Sequence, residues 1–453
     1  SNATSRNVIM NCDLDGKLRF SETLILIKGT NIYNSDSNVL YNNRIRDFKK
    51  SGVIIDQYCN NTIIEKNSFY NTSTVSLYQS ILANDSLGGI LKIKGNYFGG
   101  SMPYCMGTPQ LISSSEAYGI QLNRKHPQIT EIDDNKFSNT RFTSSGGRYY
   151  PIMVRGGINK IGVEKGNLFG DTLHTGNIIA NFFYAINNEV REFNLKSEHE
   201  ICNNIISGIK AEYFSGIYSR AILLSDTGVA EMNIHHNRIG YPNLPLSIYS
   251  KSSNGFLNGI YIISSKVEGK VRIHDNIVCN IWSCDSTTYT SGSAINGINF
   301  KGLLFSPDNP STSCTDSLII SNNKVFSLTS SHANVQSYAN VNPGINGIWT
   351  VCRPDDIGII DANEVFNIQS LQQTLSHYLT GMTLEGNIIA RKNKIHSLNN
   401  KTSDGLLSGI VNTGAIQCIN NFISIGCDYF GNDINTSVNI RGISSSLDTA
   451  KHS

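Results

Sequence analysis

One short phrase recurs along this chain about a dozen times, and a repeat of that kind constrains the fold more than any bulk property. It runs apolar residue, two polar residues, asparagine, any residue, apolar residue, as in Ile273-His274-Asp275-Asn276-Ile277-Val278. Aligned on the asparagine, the copies fall at Asn43, Asn67, Asn96, Asn135, Asn167, Asn204, Asn237, Asn276, Asn323, Asn363, Asn393 and Asn421. Three residues earlier stands an apolar column from Leu40, Ile64 and Ile93 to Ile360, Ala390 and Cys418, with Glu164 as its one misfit. Two residues later stands a second, from Ile45 and Phe69 to Ile395 and Ile423, without exception. Both columns are expected to point inward.

The spacing between copies varies from 24 residues (Asn43 to Asn67) to 47 (Asn276 to Asn323). Helical repeats keep a tight period with apolar residues three and four apart, whereas this chain shows short apolar-polar alternations. That is the pattern of a solenoid of β-coils with loop insertions. A second phrase, glycine followed by an apolar residue, recurs at Gly216-Ile217, Gly259-Ile260, Gly297-Ile298, Gly347-Ile348, Gly381-Met382, Gly409-Ile410 and Gly442-Ile443. It alternates with the asparagine phrase, so each coil carries at least two strands, one opened by each Gly phrase.

The alternation of Gly-Ile strands with Ile-x-x-Asn-x-Ile bends resembles the right-handed parallel β-helix of the pectate-lyase-like superfamily. The resemblance implies an all-β, single-domain solenoid of about a dozen coils. It implies bends in which Asn adopts the left-handed backbone conformation and side-chain amides hydrogen-bond from coil to coil. On this reading residues 1–3 are an expression scar and 4–37 an N-terminal cap or first rung. Residues 38–443 form the β-helix and 444–453 a tail, the chain being cut from a longer protein or ending on a frayed rung. Thr23-Leu24-Ile25-Leu26-Ile27 is the first strongly apolar strand.

A net charge of +2, with 16% charged residues, gives no field for a nucleic acid or polyanion. No apolar run reaches membrane-spanning length. Of the ten cysteines, Cys352 and Cys418 read as small core residues, while Cys202 and Cys279 can face either way. Cys284 and Cys314 flank an insertion and are the pair placed for a disulfide, their state left open. No C-x-x-C pair suggests structural zinc.

If the Ile of each Gly-Ile points inward, the next residue points outward, giving the file Tyr218, Tyr261, Asn299, Trp349 on consecutive coils. Two residues on, Arg220 and Lys301 stand beside it. Aromatic planes beside Asn and cations suit a polysaccharide, and four coils span about 14 Å. The insertions Tyr241 to Gly255, Trp282 to Ser293, Leu304 to Cys314 and Leu328 to Pro343 mostly precede these strands and would wall the row. Ser101 to Thr108 and Arg141 to Tyr150 read as loops, the latter joining a Gly-Gly hinge to Arg148, Tyr149 and Tyr150.

The polygalacturonase-like motifs are absent as a set, Asp133-Asp134 and Asp355-Asp356 standing without the other members, so no catalytic residues are assigned. No cofactor is required; the outward files show no acidic cluster for calcium, which stays open all the same. His235 and His274 occupy equivalent places on adjacent coils and are the candidates for a divalent metal. Other coils put Glu65, Lys94, Ser321 or Arg391 there, so the file is a generic exposed one.

The expectation is a secreted or cell-surface, monomeric protein whose β-helical face binds a polysaccharide or cell-surface glycan, as an adhesin-like module, with no nucleic acid and no membrane insertion. The alternative is a polysaccharide lyase or glycoside hydrolase acting on an acidic or complex polysaccharide.

Overall fold

The computed structural model describes residues 6–17, 22–30, 35–76, 78–84, 88–124, 128–190, 197–222, 229–250, 256–265, 268–283, 294–302, 317–331, 344–352, 357–371, 378–401, 405–432 and 438–445. The fold is an all-β, right-handed parallel β-helix. Its residues gather into two compact units, 1–210 with 217–233, and 211–216 with 234–453. Each is a stack of parallel coils. Cys284, Cys314, Asp355 and Asp356, most of the long insertions and residues 446–453 lie outside the described residues.

In the first unit, one sheet stacks Val8–Met10, Val39–Tyr41, Thr62–Glu65, Leu91–Lys94, Ile129–Asp133, Ile158–Ile161 and Ser197–Cys202 in parallel register. In the second, the corresponding sheet stacks Glu268–His274, Ser317–Ser321, Ile357–Asp361, Ile388–Arg391 and Ile416–Ile419. Thr23–Ile27 forms the expected strand and pairs with Ser51–Ile55. Of the stretch expected as a loop, Arg141 to Tyr150, both ends are strand, belonging to Thr140–Phe142 and Arg148–Arg155, and only the residues between them turn. Tyr149 is the reason: it turns inward, fully buried between Phe142 and Phe183.

Both apolar columns face the core. Ile64, Ile93, Ile132, Ile201, Ile273, Ile320 and Ile360 are fully buried, as are Phe69, Phe98, Phe137 and Phe169. Those four rings stack along the first unit with centroids 5.0, 4.5 and 5.1 Å apart. Each such residue contributes about 1.5–3 kcal/mol by leaving water, so the columns drive the coiling.

Two members of the first column need correction. Glu164 does not occupy it; Ile161 does, in register between Ile132 and Ile201. The bend after Ile161 is longer than the others, which carries Glu164 to the surface, and the buried Asp133 carboxylate holds it through the backbone N–H groups of Lys165 and Gly166. Cys418 is exposed, because Ile416–Ile419 pairs on one side only among the described strands. Cys202, Cys279 and Cys352 are buried, and burial pushes the thiols of Cys202 and Cys279 up to about 12.

The asparagines form hydrogen-bonded ladders. In the first unit, each Nδ2 from Asn43 through Asn167 donates to Oδ1 of the next asparagine at 2.9–3.0 Å. Asn237 through Asn393 do the same in the second unit. The left-handed residue, however, is the one before each asparagine, for example Asn42, Lys66, Asp134, Asp275, Asn322 and Ala362. The asparagine itself satisfies the bend: Asn323 Oδ1 accepts the backbone N–H of Asn276, and its Nδ2 donates to Ile273 and Ser321 carbonyls. Buried backbone groups without partners would cost about 1–3 kcal/mol each.

The recurrent glycine sits within a strand rather than opening it, as Gly297 does in Ala294–Gly302. A β-carbon there would stand 2.3 Å from Val325 Cγ1 and 2.6 Å from Gly347 O. Gly259, Gly347, Gly381 and Gly409 meet Val278, Val365, Ile395 and Ile423 in the same way. The glycine column is therefore the space into which the second apolar column packs.

One inward file of the first unit is polar: Thr130, Asn159 and His199 pair in register. The Asn159 amide donates to Gly156 O at 3.1 Å and to His199 Nδ1 at 3.0 Å. The His199 proton therefore sits on Nε2, and burial pushes the imidazole down to about 4.

Candidate functional site

In the second unit, Phe256–Ser265, Ala294–Gly302, Ile345–Val351, Tyr378–Glu385 and Leu406–Thr413 pair in parallel. Inward Ile295, Ile298 and Phe300 alternate with residues on the opposite face. Tyr261, Asn299, Trp349 and Thr383 stand in one register file, as their spacing predicts. Ile263, Lys301, Val351 and Glu385 form the second file.

Trp349 joins three coils. Its indole N–H donates to Glu385 Oε1 at 3.0 Å, and Lys301 Nζ lies 4.4 Å from the ring centre. A cation over an indole face is worth about 0.5–2 kcal/mol depending on desolvation. Burial lowers the Lys301 pKa, and the negative charge of Glu385 partly offsets it. Tyr261, Lys301 and Trp349 are half-buried.

Beneath them runs a row that the sequence reading did not single out. Asn258, Asn296 and Asn346, each just before a column glycine, are buried. Asn296 Nδ2 donates to Asn258 Oδ1 at 2.9 Å, and Asn346 Nδ2 to Asn296 Oδ1 at 3.0 Å. Thr383 Oγ1 donates to Asn346 Oδ1 at 2.8 Å. The signal was the Asn-Gly pair in three successive glycine phrases.

Asn299, expected to face a ligand, is only 3% exposed and directs its amide toward Asn258 at 3.5 Å. It belongs to the buried row, because the position two after the glycine projects to the same face as the asparagine just before it, and both amides reach Asn258. Its Oδ1 has no hydrogen-bond partner among the described residues. Arg220 lies in the strand Ile209–Ile222, with its side chain outside the described residues.

Tyr218 falls in the first unit, edge-on to Tyr184 at 5.6 Å. Tyr118, Tyr150 and Tyr184 stack there at 5.3 Å intervals. Tyr118 donates its hydroxyl to Glu116 at 2.6 Å, and Arg148 lies 3.4 Å from the same carboxylate. Burial pushes the Tyr150 phenol up to about 12. With ring faces packed on one another, this row offers phenol hydroxyls more than aromatic planes.

In the second unit His235 and His274 stack in parallel, 4.9 Å apart, as neighbours on adjacent coils.

No known protein family matches the chain, and no curated protein matches it. A solved structure of a PL6 family alginate lyase, AlyGC, aligns over 99% of this chain and 97% of its own. At 8% identity and a TM-score of 0.16, that likeness carries no argument about fold or function. Among the described residues no helix is long and apolar enough to cross a membrane.

Proposed function

We propose that the second unit binds a polysaccharide or cell-surface glycan along the row of Tyr261, Lys301 and Trp349. The observation that supports this reading most is the fixed indole: Lys301 and Glu385 hold Trp349 from two neighbouring coils. An aromatic whose position is already set loses little entropy on binding, and sugars take aromatic planes with charged or amide groups nearby. The amide row of Asn258, Asn296 and Asn346 supports the face from beneath. A secreted or cell-surface location, with an adhesin-like role, accompanies this reading. Tyr218 and Arg220 remain proposed contacts of the first unit.

The test is a glycan array with the parent, Trp349→Ala and Trp349→Phe. Binding by the parent that is lost in Trp349→Ala and weakened in Trp349→Phe, at unchanged melting temperature, supports the site. An array without a hit for the parent, or binding untouched by either variant, overturns it.

A second reading, polysaccharide lyase or hydrolase, is favoured by the lowered pKa of Lys301, which raises the fraction of neutral amine able to take a proton. An assay of the array's hits for unsaturated or reducing ends separates it from binding alone. Product formation abolished by Lys301→Met selects the enzyme, and no product from any hit rejects it.

A further inference from the structure

The histidines on the file before the second unit's asparagine ladder form a closer group than the stacked pair alone. His235 Nδ1 and His236 Nδ1 lie 2.8 Å apart, with the two rings nearly perpendicular. His274 is parallel to His235 at 4.9 Å and 6.2 Å from His236. Its Nδ1 is 2.7 Å from Asp275 Oδ2, so the proton of that ring sits on Nδ1 and the lone pair on Nε2.

We propose that His235, His236 and His274 form a site for a transition-metal dication of the copper(II) type. Two nitrogens each about 2.0–2.1 Å from a metal stand about 2.9 Å apart at a right angle and about 3.4 Å apart at the tetrahedral angle. The 2.8 Å separation matches the right angle, which belongs to square-planar or tetragonal ions rather than to zinc. Imidazole nitrogens suit copper and nickel, whereas calcium and magnesium take oxygen ligands. In the metal-free state one of the two facing rings carries its proton on Nδ1 and donates to the other. Binding moves that proton to Nε2 of the same ring, so both lone pairs face the ion and no net proton is released. His274 swings about its side-chain torsions to give Nε2 as the third ligand.

The bend conformation permits a clean test. His236 is left-handed, φ 55°, and the equivalent residues of the next two coils are Asp275 and Asn322, also left-handed. His274 pairs in register with Ser321. His236→Asn and His274→Ser therefore copy residues that later coils already carry at the same places, and leave the fold intact. Titration of the whole chain with Cu2+, followed by calorimetry and electron paramagnetic resonance, is expected to show one saturable equivalent with nitrogen hyperfine structure. Affinity should fall at least tenfold in His274→Ser, and the saturable equivalent should vanish in the double variant. Absence of saturable binding to the parent, a signal without nitrogen coupling, or an equivalent that survives in the double variant would each overturn the assignment. Trp349→Ala should leave the titration unchanged, since this site is independent of the proposed glycan row.

Discussion

Gly347 and Val365 share one space: a β-carbon on the glycine would stand 2.3 Å from Cγ1 of the valine and 2.6 Å from Gly381 O. Gly347→Ala should therefore destabilise the protein by about 1–3 kcal/mol, the usual cost of overpacking. Val365→Ala on that background should recover part of the loss, because it removes the side-chain clash but not the carbonyl. Denaturant melts of the two single variants and the double variant measure the coupling. Additive losses would contradict the shared space.

Asn323 donates to Ile273 O, Ser321 O and Asn363 Oδ1, and accepts from two groups of Asn276. Asn323→Ala leaves buried backbone and amide groups unpaired, so a loss above about 3 kcal/mol is expected. Asn323→Asp should be at least as damaging, since the carboxylate cannot donate and its charge is buried. Thermal unfolding monitored by circular dichroism reads both, and a melting temperature within a degree of the parent would refute the ladder's role.

His199 links stability to pH. Its folded-state pKa is pushed down from 6.5 to about 4, so the unfolded chain binds the proton first as pH falls. Its full contribution is present above about pH 6.5 and is lost between there and about pH 4, on the order of 3 kcal/mol in total. His199→Asn, copying Asn159 on the preceding coil, should flatten the profile over that window and leave it unchanged above it. Chemical denaturation at a series of pH values provides the comparison.

Glu385 and Lys301 are coupled across Trp349. The carboxylate raises the lysine pKa against the lowering by burial, so Glu385→Gln should move the ammonium further down. Trp349→Phe, which removes the indole N–H and keeps a ring, should loosen Glu385 without abolishing the effect. Reductive methylation with carbon-13 followed by NMR titration resolves the lysine; an upward shift in Glu385→Gln would contradict the arrangement.

The fold was legible because burial imposes a regular chemical choice. Ile132, Ile273 and Ile360 repeat at the same offset from an asparagine, and all three are fully buried. Where the offset fails, the reading failed with it: the longer bend after Ile161 placed Glu164 at the expected offset and hid the true core residue. Cys418 shows a second limit, since composition at a position does not reveal whether a further strand covers it. The outward files came through as registers, Tyr261 to Asn299 to Trp349, because parallel strands with one inward face leave only one alternative. Asn299 was misjudged as a surface residue because alternation gives direction and not depth. The pairing of Trp349 with Glu385 depends on side-chain torsions reaching across a coil, which no spacing encodes.

The two amide ladders of the second unit run in opposite senses. From Asn237 to Asn393 each amide donates to the next coil, whereas Asn346 and Asn296 donate back to the preceding one. Side-chain dipoles aligned in series add, so the long ladder is an electrical polarity built into the unit, and the short ladder opposes it over three coils. Chains of hydrogen bonds polarise one another, strengthening each bond by about 10–30%. Loss of an amide in the middle, at Asn323, therefore divides the series and weakens the links on both sides, while loss at Asn421 shortens it by a single member. The unit's resistance to unfolding should accordingly depend on where the series is cut, as well as on how many bonds the cut removes.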